Sequence, residues 1–165
     1  MIRSVPGRTP RIHPDTWIDP AAQVIGDIVI EAGASIWPGT IVRGDQDNNV
    51  KVGRNTNVQD CSVLHVTPEF PCVVGDGVTI GHRAVVHACT VMDHCRIGIG
   101  AVVLDGPSSR KARRWARARW CRRAMSPEEV EDILRNATDY VELWRRDYGE
   151  ARSTRSGPTR GSGKP

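Results

Sequence analysis

At 165 residues, the chain is long enough for one domain with its own buried core and too short for two comfortable ones. A single Phe and two Tyr exclude a core built from aromatics and favour short aliphatic side chains in ordered layers, a solenoid composition more than a sandwich one. The net charge of +4 is unevenly spread: residues 107–123 hold eight Arg or Lys and no acid while the rest is net acidic, so overall charge says little about partners and nucleic acid is disfavoured.

No run approaches the roughly 20 apolar residues of a membrane span, and the opening MIRSVPGRTP has no apolar stretch of signal-peptide length. The expectation is a cytoplasmic protein with no membrane partner. The five cysteines, Cys61, Cys72, Cys89, Cys95 and Cys121, are odd in number and form no CxxC pair. They read as small buried hydrophobes in a reducing compartment.

In chain order, residues 1–14 form an N-terminal extension, and a repeat then occupies residues 15–106. Aliphatic residues fall at Ile18, Val24, Ile30, Ile36 and Val42, again at Val52, Val58 and Leu64, then at Val74, Ile80 and Val86, and at Val91, Ile97 and Val103. A step of six fits neither a helix nor a plain alternating strand. It describes short strands with small residues at the turns, three strands to a coil, each pairing with the coils above and below. The pattern resembles the hexapeptide-repeat proteins, which implies an all-β solenoid, a single-stranded left-handed parallel β-helix. Two steps of ten, Val42 to Val52 and Leu64 to Val74, hold insertions around GDQDNN and TPEFP that should protrude from one edge of the prism.

Arg43, His65 and His87 each follow one of these aliphatic positions, so they point outward and stack in one column. Strands about 4.8 Å apart let two imidazoles converge on one metal with bonds near 2.1 Å. His82 lies two residues after Ile80, on the preceding side, and faces away from that pair. A threefold assembly resolves this, because a neighbouring prism can present its own His82 to the first prism's His65 and His87. Three neutral imidazoles leave a position open for water, as in catalytic zinc sites. His13 and His94 read as ordinary surface histidines.

The motifs RGD at Arg43–Asp45, NVQD at Asn57–Asp60, VLH ending at His65 and IGHRAVVHACT from Ile80 to Thr90 make the chain similar to the gamma-class carbonic anhydrase-like family. The segments DTWIDPAAQVIGDIVIEAGASIWPG and GIGAVVLDG extend the likeness over about residues 10–106. The resemblance implies a homotrimer whose metal, Zn2+ or Fe2+, is bound by His65, His82 and His87. It further implies an Arg43–Asp45 ion pair supporting the interface, Gln59 hydrogen-bonded to the metal-bound hydroxide, and Asp60 orienting a histidine or an arginine. The implied reaction is reversible hydration of carbon dioxide to bicarbonate, a carbonate dehydratase activity.

Gln46 stands where the family's active pattern has a glutamate, and the short TPEFP loop leaves Glu69 as its one ionisable candidate for moving protons. The alternative is therefore a metal-binding trimeric scaffold with little or no carbonic anhydrase activity. A hexapeptide-repeat acyltransferase fits less well, since that chemistry does not call for three clustered histidines.

After Val103 the hexads stop. Residues 107–124 read as a basic irregular segment with interleaved tryptophans, Trp115 and Trp120, a composition that could bind phosphates. Back-translated with GC-rich codons and read one nucleotide earlier, the segment also gives repeat-like text rich in Val, Ala and Gly, so a frameshift is the expectation; codons in the gene that cannot give such text would exclude it. Residues 125–148 read as a closing helix, with Ser126, Pro127 and Glu129 as a capping box and an apolar stripe of Val130, Ile133, Leu134, Ala137, Val141 and Trp144. The strand edge below the last coil should be exposed unless the basic segment or the helix covers it. Residues 149–165, rich in Gly, Ser, Pro and Arg, read as a disordered tail.

Overall fold

Six-residue spacing makes three flat sides because each hexad spends two to four residues on a strand and the rest on a corner. The computed structural model describes residues 1–106 and 126–148. The basic segment with its frameshift reading, Cys121 and the expected tail lie outside the described residues.

The first sheet runs β1 (Ile2–Arg3), β4 (Gln23–Gly26), β7 (Ile41–Gly44), β10 (Val63–His65), β13 (Val85–His87) and β16 (Val102–Val103). The second contains β2 (Arg11–Ile12), β5 (Ile28–Ile30), β8 (Val50–Val52), β11 (Cys72–Val74) and β14 (Thr90–Val91). The third contains β3 (Trp17–Ile18), β6 (Ser35–Ile36), β9 (Asn57–Val58), β12 (Thr79–Ile80) and β15 (Arg96–Ile97). Every pairing between these strands is parallel. The chain is a left-handed parallel β-helix with one C-terminal helix.

The aliphatic rows read from the sequence are the rows of the core. Val24, Val42, Leu64, Val86 and Val103 stack through the first sheet, Ile30, Val52, Val74 and Val91 through the second, and Ile18, Ile36, Val58, Ile80 and Ile97 through the third. All are buried except Ile18 at the N-terminal end, which is half-buried. Burying each such side chain contributes about 1.5–3 kcal/mol, and the stacked rows do so in every coil.

Corners repeat as regularly as strands. Between the third and first sheets, Gly39, Cys61, Arg83 and Gly100 all adopt positive φ, and between the second and third, Gly33, Asn55, Gly77 and His94 do the same. Such a conformation is uncommon for a side-chain-bearing residue. All of these corner residues but Gly39 donate an amide hydrogen bond to the coil above, as from the Cys61 N–H to the Pro38 carbonyl and from the Arg83 N–H to the Asp60 carbonyl. A Cβ on Gly33 would lie 2.0 Å from Asn55 Oδ1, so the Asn55 side chain stacked on that corner would have to move aside. Corner placement also exposes Cys61, against the expectation of burial, whereas Cys72 and Cys89 are buried as expected. Burial pushes the Cys72 thiol well above its ordinary range, and that of Cys89 up to about 11.

The two insertions leave the prism at one edge and touch: Asn48 Nδ2 donates to the carbonyls of Thr67, at 3.0 Å, and Pro68, at 2.7 Å. Register partners are 18 residues apart from Val24 to Val42, 22 apart in the two coils carrying insertions, and 17 apart from Val86 to Val103. The last coil is thus one residue short, and Ala88, with φ of 46°, makes the tight turn there.

The helix α1 (Pro127–Asp147) begins at the expected capping box, Ser126 with Glu129, with Pro127 in the first turn. It lies against β6, β9 and β12, burying Ile133, Ala137, Val141 and Trp144. Leu134, expected on the buried stripe, is 40% exposed, because the residue after Ile133 is rotated about 100° around the helix. Trp17 and Trp37 stack with centroids 4.7 Å apart, and Tyr140 of α1 meets Trp37 edge-on at 5.1 Å. Thr79 Oγ1 donates to Asn136 Oδ1 at 2.8 Å, and Arg145 pairs with Asp15 at 2.5 Å. At the other end, β14, β15 and β16 are the outermost strands of their sheets, and no strand pairs beyond them among the described residues. Met92, Ile99, Val102 and Leu104 are exposed there.

Candidate metal centre

Strand alternation sends Val42, Leu64 and Val86 inward, and therefore Arg43, His65 and His87 outward. The register pairs His65 with both Arg43 and His87, so the three side chains form one column on the first sheet. His65 Nδ1 lies 3.1 Å from His87 Nε2, with the rings tilted by 46°. The outer nitrogen of each ring faces a carboxylate: His65 Nε2 lies 3.4 Å from Asp45 Oδ1, and His87 Nδ1 lies 2.5 Å from Asp105 Oδ1. Arg43 closes the upper end, its Nη1 donating to Asp45 Oδ2 at 2.8 Å.

An ionised carboxylate only accepts hydrogen bonds. Asp45 and Asp105 can thus each accept a ring N–H at the outer nitrogen, which would leave two lone pairs facing one another between the rings. A cation placed between them resolves the conflict. The 3.1 Å separation is close to the roughly 3.3 Å between two nitrogens bound to one tetrahedral metal at 2.0–2.1 Å. A proton is a poorer solution, because burial, then the Arg43 guanidinium, pulls His65 below the ordinary imidazole range despite the opposing pull of Asp45. Burial alone would raise Asp45, but the hydrogen bond and charge of Arg43, with the His65 hydrogen bond, hold it below the usual carboxylate range.

The remaining expected site residues gather elsewhere. Asp60 and His82 occupy successive coils where the third sheet turns toward the first, with His82 Nδ1 2.8 Å from Asp60 Oδ2. Both are partly exposed. Gln59 is buried on the third sheet and donates from Nε2 to Asn57 Oδ1 at 3.2 Å, within a polar seam that runs on through Thr79 to Asn136. Burial, then the charge of Asp60, pushes the Tyr140 phenol up, which brings α1 to this corner as well. Among the described residues, no three His, Cys, Asp or Glu side chains are grouped as a metal-ligand set within one chain. His13 and His94 are both exposed.

Asp105 was not among the residues read from the sequence. It follows the six-step pattern by two residues in the short last coil, where the count has slipped by one. Its only signal is the five-residue step from Val86 to Val91, which shifts everything after it relative to the histidine column. Gln46, singled out in the sequence, has a buried Oε1 with no hydrogen-bond partner. Glu69 is exposed at the tip of the loop closed by the Thr67 N–H to the Phe70 carbonyl.

A family model described as bacterial transferase hexapeptide (six repeats) matches residues 9–44. Over 105 residues the chain is 45% identical to gamma carbonic anhydrase 2, mitochondrial, of Arabidopsis thaliana, covering 60% of this chain and 37% of that protein. It is 39% identical over 105 residues to a carbonic anhydrase of Geobacillus kaustophilus, covering 64% and 57% respectively. The chain belongs to the gamma-class carbonic anhydrase-like family. Its aligned part spans between 37% and 57% of the length of these curated relatives. Among solved structures, a hexapeptide transferase family protein from Anaplasma phagocytophilum is 31% identical with a TM-score of 0.66, covering 88% of this chain and 97% of that one. No helix among the described residues is long and apolar enough to cross a membrane.

Proposed function

We propose that the protein is a metal-dependent, carbonic anhydrase-like enzyme that hydrates carbon dioxide reversibly at sites between the subunits of a homotrimer. The observation that carries this reading is the facing pair of ring nitrogens on His65 and His87, each ring backed by its own carboxylate. In this reading His65 and His87 hold one side of a Zn2+ or Fe2+ ion, and His82 of a second copy completes the set. The bound ion would supply Lewis acidity, drawing the pKa of water at the site toward about 7. Asp45 and Asp105 orient the two imidazoles, Asp60 orients His82, and Arg43 holds Asp45 in place. Gln59, whose N–H donates to the Ile80 carbonyl on the third sheet, would hydrogen-bond the metal-bound hydroxide, so its role depends on the second copy as well.

The first sheet also supports a subunit contact at this place. Beside the histidine column runs a second outward column, Ile41, Val63, Val85 and Val102, of which the first three are half-buried and the last exposed. A partly exposed apolar stripe flanking a polar site is the composition of an interface core. The free thiols Cys61, Cys72, Cys89 and Cys95 fit a reducing, cytoplasmic setting.

A scaffold that binds metal without appreciable turnover is the second reading. Gln46 in the insertion beside Asp45 and the lone exposed Glu69 favour it, because neither supplies a buried acid to carry protons away. The solved relative's being a hexapeptide transferase family protein leaves acyl transfer as a third, which no side-chain cluster on the described chain favours. Elemental analysis and solution mass of the purified protein, followed by stopped-flow carbon dioxide hydration on metal-loaded trimer, separate these readings. We expect about one zinc or iron per chain, and its loss in His87→Ala together with any hydration activity. A metal-free monomer would overturn the proposal.

A further inference from the structure

We propose that Asp105 is the positioning residue of this half-site, holding His87 in the Nδ1–H form so that the lone pair on Nε2 is turned toward His65. The contact is short, 2.5 Å from His87 Nδ1 to Asp105 Oδ1. The backbone holding the carboxylate is fixed on both sides. Before it, β16 pairs in register with β13, Val103 beside Val86; after it, the Gly106 N–H donates to the Ala88 carbonyl at 3.1 Å, in a bridge to Cys89. Asp105 is therefore held by the very turn, Ala88–Cys89, that follows His87 in the chain. The φ of 147° at Gly106 bends the chain back into that bridge.

The arrangement mirrors the other end of the column. Asp45 comes from the coil above His65 and Asp105 from the coil below His87, so the imidazole pair is bracketed by carboxylates from opposite directions. Without Asp105, the remaining polar partner of the His87 ring is His65 Nδ1 at 3.1 Å, which favours the tautomer with Nε2–H and so turns a proton rather than a lone pair toward His65. A carboxylate behind a ligating imidazole both selects the tautomer and raises the basicity of the ligating nitrogen. The consequence for metal affinity rests on the metal reading above; the tautomer does not.

Nitrogen-15 NMR of the full-length, metal-free protein reads the tautomer directly. His87 is expected to carry its proton on Nδ1 in the wild type and to shift toward the Nε2–H form in Asp105→Ala. Zinc titration of the same proteins is expected to show an affinity about 10–100-fold weaker for Asp105→Ala, with partial recovery in Asp105→Glu. A wild-type His87 protonated on Nε2 overturns the inference, as does a folded Asp105→Ala with unchanged tautomer and unchanged zinc affinity. The wild-type spectrum decides the matter even where the alanine variant melts too low to titrate. Zinc binding that survives His87→Ala would instead overturn the metal reading and leave the tautomer assignment standing.

Discussion

Leu64 and His65 show how the solenoid couples stability to chemistry at the level of single residues. They are adjacent, so strand alternation commits one to the core and the other to the site; Leu64 is fully buried and His65 is 8% exposed. Replacing Leu64 by Ala removes three methyl-sized groups from a row that cannot collapse, because Val42 and Val86 are fixed above and below it. The expected cost is about 2–5 kcal/mol, read as a lower urea midpoint with unchanged slope. Zinc stoichiometry in the absence of denaturant should survive, since the backbone that aims His65 is pinned by its ladder partners. Sequence alone made this alternation legible: a six-step count is enough to decide inward from outward at Arg43, His65 and His87. The same count could not find Asp105, which depends on a turn one residue shorter than the others, nor the partners of Gln59. Both are consequences of where a side chain reaches, and spacing carries no information about reach.

At the scale of elements, α1 is held by a few specific contacts more than by area. Its capping box satisfies backbone donors at Glu129 and, in return, at Ser126, and its aromatic end fits the cluster of Trp17, Trp37 and Trp144. Ser126→Ala should cost about 1 kcal/mol, visible as a lower melting temperature. The near-ultraviolet circular dichroism of the native protein should persist, because the tryptophan cluster lies at the other end of the helix. A loss of that signal at low temperature would mean that the cap, and not the packing of Ile133 to Trp144, decides whether the helix docks. The cap motif was readable because it is local. The exposure of Leu134 was not: a stripe drawn on a helix is wider than the strip that a flat, narrow sheet of two-residue strands can cover.

For the whole molecule, the proposed site requires that His82, which pairs with Asp60 at a corner of the prism, join the His65 and His87 of another copy. Two faces of the prism are spoken for differently: α1 covers the third sheet, whereas the first presents Ile41, Val63, Val85 and Val102, half-buried or exposed, beside the histidines. Val63 is at the middle of that stripe, flanked in register by Ile41 and Val85. Introducing Val63→Glu would leave the coil intact, since the position is outward, but would place an unpaired charge in the centre of any contact made there, a loss of several kcal/mol at a desolvated position. The expected outcome is a folded monomer by analytical ultracentrifugation, with the melting transition retained and zinc affinity sharply reduced, because each chain keeps His65 and His87 but loses access to the His82 of a neighbour. Restoring the apolar side chain as Val63→Ile should restore both mass and affinity. If Val63→Glu remains trimeric and keeps its zinc, the contact lies on another face and the column of histidines must be completed in some other way.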